Sequence, residues 1–246
     1  MMTGKKTVST FILAFLTASL VLAQTKPTPP KPVPAPKAPA PPQAEVSPFE
    51  KRTFAEGEIA EISSIAGGGN LRAIGIATKS IQMTVSKPKA GTRCQLQIFQ
   101  TPESVLMVKS ASASNERCIM DGEISVPADV SYKASAEEGN LNITGVKLVS
   151  EVSMGSGDIL LDGIGSHAEV TIRRGSVVLD RATVGAKITV QDSANVRCNF
   201  SSTPATGILM IESRGGSVDI NLPKATASSF GINFKIESGD FSIKRF

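Results

Sequence analysis

The chain has 246 residues, 41% hydrophobic but only 4% aromatic, with no Trp, one Tyr and a formal net charge of +4. The excess charge precedes Phe49: Lys5, Lys6, Lys26, Lys31 and Lys37 lie there with only Glu45 against them, which leaves 21 basic and 21 acidic residues from Phe49 onward. A neutral domain without stacking rings has neither the basic footprint nor the aromatic platform of a nucleic-acid binder, so no nucleic-acid partner is expected.

Lys5 and Lys6 precede an apolar run from Phe11 to Leu22, and Val21-Leu22-Ala23 before Gln24 fits a small-residue cleavage site. The run is short against the roughly 20 apolar residues of a membrane span. Residues 1–23 are therefore predicted to be a signal peptide cut between Ala23 and Gln24, with an uncleaved anchor as the alternative. Membrane contact is expected only in that second case. No Cys lies near the site, which excludes a lipid-anchored lipoprotein. The chain is expected to leave the cytoplasm for the periplasm, the outer surface or the medium.

Residues 24–48 hold nine prolines up to Pro42, spaced by Ala and Lys, and a tenth at Pro48. Such a stretch has nothing to bury and should extend as polyproline II, reaching roughly 70 Å at about 3.1 Å per residue. It is predicted to be a disordered spacer; a proline-motif ligand for a partner domain is the alternative.

Residues 49–130 alternate less regularly. Glu58–Ile62, Ile81–Val85, Cys94–Ile98 and Val105–Val108 are predicted strands, with Thr101-Pro102-Glu103 turning between the last two. Gly69-Asn70-Leu71 followed by Gly75 echoes Gly139-Asn140-Leu141 followed by Gly145, so a degenerate repeat already begins here. An atypical first coil is expected where an open core must be capped.

From Ser131 to Phe246 a phrase recurs: Gly, a small polar or acidic residue, then alternating apolar positions. It starts at Gly139, Gly157, Gly175, Ala194, Gly216 and Gly239, at intervals of 18, 18, 19, 22 and 23 residues. Upstream of the last five starts lie the apolar pairs Val152/Met154, Val170/Ile172, Ile188/Val190, Leu209/Ile211 and Phe234/Ile236. Period two marks strands, Gly with Asn or Asp supplies tight corners, and a fixed interval of about 20 residues marks stacked coils. The predicted fold is all-β: a single-stranded, β-helix-like solenoid of short strands over residues 49–246, regular from 131.

Three cysteines in an exported chain invite a pair and a leftover. Cys198 takes an inward ladder position, matching Leu179 and Ile220, which leaves Cys94 and Cys118 to pair; all three reduced is the alternative. No zinc site is expected, because the cysteines and the lone His167 have no ligand spacing. Ser166 and His167 are neighbours on a strand and point to opposite faces, so they make no catalytic pair. Asp158, Asp162, Asp180, Asp219 and Asp240 could form a carboxylate row for sugar cleavage, yet Asp at a corner is favoured by turn hydrogen bonding alone. No cofactor or metal is expected.

Val126-Pro127, Ser135-Ala136-Glu137-Glu138-Gly139-Asn140-Leu141, Ser156-Gly157-Asp158-Ile159 and Ser238-Gly239-Asp240-Phe241 resemble the bacterial "putative adhesin" β-solenoid family. That family is a domain of unknown function in cell-envelope proteins, related to head domains of auto-transporter adhesins. The resemblance covers Phe49 to Phe246 and implies an extracytoplasmic, non-enzymatic envelope protein. It brings no catalytic residues. The function expected is adhesion, binding or scaffolding toward an envelope, glycan or protein ligand. The alternative is a polysaccharide-acting β-helix lyase or hydrolase using the corner carboxylates.

Overall fold

The computed structural model describes residues 49–246 apart from 56, 89–91, 113, 115, 203, 205 and 225–228. The signal segment, its cut between Ala23 and Gln24, and the Pro-rich spacer lie outside the described residues. Alternation becomes strand throughout, and no helix forms among the described residues. In chain order the strands are β1 (Phe49–Phe54), β2 (Glu61–Ala66), β3 (Gly69–Ile76), β4 (Ile81–Ser86), β5 (Cys94–Gln100), β6 (Val105–Ser112), β7 (Gly122–Pro127) and β8 (Ser131–Thr144). They continue as β9 (Leu148–Asp162), β10 (Ala168–Asp180), β11 (Ala186–Asn199), β12 (Thr206–Ser213), β13 (Val218–Leu222), β14 (Ser229–Ile236) and β15 (Phe241–Arg245).

Coils stack in parallel, phrase on phrase. Gly139 pairs with Gly157, Gly157 with Gly175 and Gly175 with Ala194, and further on Val196 pairs with Val218 and Val218 with Phe241. The expected short strands are joined in the middle of the stack: β8 to β11 each run 13 to 15 residues through their corner. The corner reverses the inward parity, so that in β8 Ala136 is buried before the bend and Leu141 after it. One ladder runs β5, β6, β2, the first halves of β8 to β11, β12 and β14; the other runs β1, β4, β7, β3, the second halves, β13 and β15.

Gly157 shows what the corner demands. Its φ is +133°, and a Cβ there would lie 1.9 Å from the Gly139 carbonyl oxygen, so conformation and close stacking both require glycine. Ala194 escapes the demand through an extra residue: the register slips between Ile172 and Arg174 of β10, a bulge in β11 that also makes this interval 19 rather than 18.

The echo at Gly69 is a true coil. Gly69 pairs with Gly139 and Leu71 with Leu141, although 70 residues separate Asn70 from Asn140. The intervening chain goes outward: β6 and β7 add in parallel to β2 and β3, and β5, β4 and β1 then cap with antiparallel pairing. One sequence expectation is corrected. The first of the expected strands is β2, Glu61–Ala66, not Glu58–Ile62, because Ala60 bonds Ser104 and Ser131 through its backbone and ladder pairing begins at Glu61 with Ser131; β1 before it is not among the expected strands. Leu209 and Ile211 are both buried in β12 as their alternation implies; Ile211 stacks on Ile188, and buried Ser213 stacks on Val190. Ser213 is tolerated there because its Oγ donates to the Gly215 carbonyl at 2.9 Å.

Both ladders face one apolar core. Leu141, Ile159, Val177, Val196 and Val218 form one inward row, and Ile143, Leu161, Leu179, Cys198 and Ile220 the next, all buried. Each such side chain contributes about 1.5–3 kcal/mol by leaving water.

Candidate functional site

The outward positions are tied coil to coil. At the corner, Asn70 donates through its backbone N–H and Nδ2 to Asp121 Oδ1, and Asn140 Nδ2 donates to Asn70 Oδ1 at 2.7 Å. Further along the row Ser176 Oγ donates to Asp158 Oδ1 at 2.6 Å, and Ser217 donates to Asn195 Oδ1 through its backbone N–H and Oγ. Parallel register puts like positions about 4.8 Å apart, so Asn, Asp and Ser reach the coil below with one short bond.

This register distributes the five carboxylates over three rows. Asp158 and Asp240 belong to the corner row, and Asp219 sits two residues further along its strand, bonded by Ser242 Oγ. Asp162 and Asp180 face one another in the last row, where Arg181 grips Asp162 with two hydrogen bonds. Among the described residues no group of three His, Cys, Asp or Glu side chains could hold a metal ion. The exposed His167 stands at a corner, while the Ser166 hydroxyl is committed to the Val149 backbone, accepting its N–H at 2.8 Å and donating to its carbonyl at 3.0 Å.

Cys94 and Cys118 are joined by a disulfide that pins the start of β5 to the chain entering β7. Cys198 is free and buried among its ladder neighbours, and burial pushes its thiol up to about 12. Tyr132 is likewise raised to about 12 by burial, partly offset by its hydrogen bond to Ser64 Oγ. Lys133 is raised by its hydrogen bond to Glu151, and Arg181 by its hydrogen bond to Asp162. Cys198 and Tyr132 are thus packed in the core, and Lys133 and Arg181 are each paired with a carboxylate.

The described residues line shallow grooves, three of which bear on function. One, of about 280 Å³, lies outside the second ladder along Ser176, Val178, Asn195, Arg197 and Asp219. A second, of about 400 Å³, runs along the corner between Gln191, Glu212, Arg214, Lys235 and Glu237. The third, of about 440 Å³, adjoins the disulfide and is lined by Phe49, Lys87, Pro88, Glu116, Arg117 and Ile119. Sequence reasoning missed this last groove. Its signal was the alternation Cys118, Ile119, Met120, which turns Ile119 outward between two buried neighbours and leaves it 64% exposed.

No curated protein matches the chain. A crystal structure of a putative cell adhesion protein from Clostridium sporogenes is similar at 12% identity, over 80% of this chain and 99% of that one, with a TM-score of 0.42. A putative adhesin from Bacteroides fragilis is similar at 13% identity over 80% and 98%, also at 0.42. A putative lipid binding protein from Parabacteroides distasonis is similar at 10% identity over 79% and 97%, at 0.35. At these scores the likenesses carry no argument about this chain's function. The family model Toastrack DUF4097 matches residues 120–246, a span that includes the Ser-Gly-Asp phrases at Ser156 and Ser238. That span is more than half of the chain, and the chain belongs to the Toastrack DUF4097 family.

Proposed function

We propose that this is a non-enzymatic, exported cell-envelope protein whose β-solenoid serves adhesion, binding or scaffolding. The observation that carries the proposal is the occupation of the polar surface: the corner side chains bond the next coil, and the five candidate aspartates fall on separate rows rather than around one cleft. A sugar-cleaving site needs an acid and a second carboxylate flanking the scissile bond. Among the five aspartates the nearest approach to one is Asp162 beside Asp180, and Arg181 already occupies Asp162; Glu212 and Glu237 share a groove with Arg214 and Lys235. Export rests on the segment before Gln24.

The test is a screen of the exported chain on cell-wall and matrix glycans and on envelope proteins, scored for retention and for product release together. Retention without release is expected. Release of oligosaccharide that disappears in Asp180→Asn would overturn the proposal in favour of an enzyme. Intact-mass measurement on the same sample is expected to place Gln24 at the N-terminus; an intact Met1 form in the membrane fraction would instead favour the anchor.

A further inference from the structure

The two ends of the stack are finished differently. At the N-terminal end antiparallel strands cover the core and β1 and β5 stand outermost; on β1 Arg52 pairs with Glu50, as does Lys87 beside it. Charged, paired edges of this kind resist further strand addition. At the other end β14 pairs only with β12 and β15 only with β13. Phe234 is 50% exposed, Phe241 36% and Ile243 42%, although Ile211, Val218 and Ile220 hold the same ladder positions one coil earlier with no exposure at all. These residues face along the core, not out of its side. Phe234 and Phe241 come from different ladders and stack across the end, with ring centroids 4.2 Å apart. They make a flat apolar surface bounded by two open strand edges.

The rim carries Lys235, Glu237, Asp240, Lys244 and Arg245, none in a salt bridge among the described residues. Their order along the chain selects an occupant. Asp240 stands just before β15, and Lys244 and Arg245 close it. A two-fold axis through the end brings β15 against its own copy antiparallel, which sets the acidic start of each strand beside the basic end of the other. Centred on Ser242, this pairing places Asp240 opposite Lys244 and Phe241 opposite Ile243, so the outward residues meet as unlike charges and the inward ones as apolar pairs.

We infer that the C-terminal end of the solenoid is a self-association surface that joins two copies of this chain tail to tail. The interface is isologous and closes at two, because a two-fold pairs each edge with its own copy and uses the same surface on both chains. Two cores then run into one another through Phe234, Phe241 and Ile243, and the two exported copies present their N-terminal ends in opposite directions.

Light-scattering mass across a concentration series of the exported chain tests this, since dimerisation follows mass action. The mass is expected to rise from one chain to two and stop. Asp240→Lys and Lys244→Asp, both at exposed positions, are each expected to raise the dissociation constant by about tenfold or more, as like charges then face one another. The double variant Asp240→Lys/Lys244→Asp is expected to recover the dimer, which a loss of folding could not do. A mass of one chain throughout, growth beyond two, or single variants that dimerise like the parent would each overturn the inference. So would a monomer that binds phosphatidylethanolamine–phosphatidylglycerol vesicles through Phe234 and Phe241, which would assign this end to lipid.

Discussion

At the scale of single residues, inward and outward positions do different work, and both are set by stacking. Cys198 illustrates the inward case. As a thiol it packs between Leu179 and Ile220, whereas as a thiolate it would be an unpaired charge in the core. Its folded pKa of about 12 stands above the ordinary value of 9.0 because of burial. The sign follows: the unfolded chain releases this proton from about pH 9 upward while the folded chain keeps it. Stability from this group is therefore complete below pH 9 and is lost as pH rises toward 12, by about 1.4 kcal/mol per pH unit at most. Urea melts at pH 8 and pH 10 are expected to show a larger loss for the parent than for Cys198→Val, whose core position cannot ionise. Equal losses would mean that the thiol is not held in the core. Tyr132, raised to about 12 as well, adds to the loss only above its ordinary 10. The outward case is Ser176 or Ser217, each spending its hydroxyl on the coil below.

At the scale of the element, the repeat was legible because a buried ladder forces period two and a stacked corner forces glycine, two constraints that survive loss of all other similarity. They identified Gly69 as a coil start through its match to Gly139, and the same positions pair in space. What stayed illegible was order: nothing in sequence proximity says that β4 to β7 leave the stack and return beyond β3. Register also failed where a coil lengthens. The 22-residue interval before Gly216 hides an inward Ser213, which no apolar pattern reveals, so alternation alone does not say that Ile211 rather than Leu209 stacks on Ile188. Of the candidate sites, the carboxylates were visible one by one, but their division among three rows depends on register and not on residue type. The cap brings its own test. The Cys94–Cys118 bridge spans 24 residues, and closing a loop of that length stabilises by about 3 kcal/mol in the chain-entropy account. Reduction is expected to lower the melting temperature and to speed amide exchange first in β5 and β6, leaving β9 and β10 protected until global unfolding. Uniform loss of protection, or none, would contradict a bridge that acts as a local clamp on the cap.

At the scale of the molecule, each coil is supported only by its neighbours, so the core is a continuous column and the outer surface a set of parallel polar rows. The coils are uniform in the middle, blunted at one end by antiparallel strands and open at the other on stacked phenylalanines. The central claim is that the rows Leu161–Leu179–Cys198 and Asp158–Ser176–Asn195 face opposite sides of the same strands. Equilibrium denaturation of two variants in the uniform coil at β10 tests it most directly. Leu179→Ala empties a fully buried position and is expected to cost about 2–5 kcal/mol. Ser176→Ala gives up one solvent-accessible hydrogen bond to Asp158 and is expected to cost no more than about 1 kcal/mol. If Ser176→Ala costs as much as Leu179→Ala, the two faces are exchanged and the coil register is wrong.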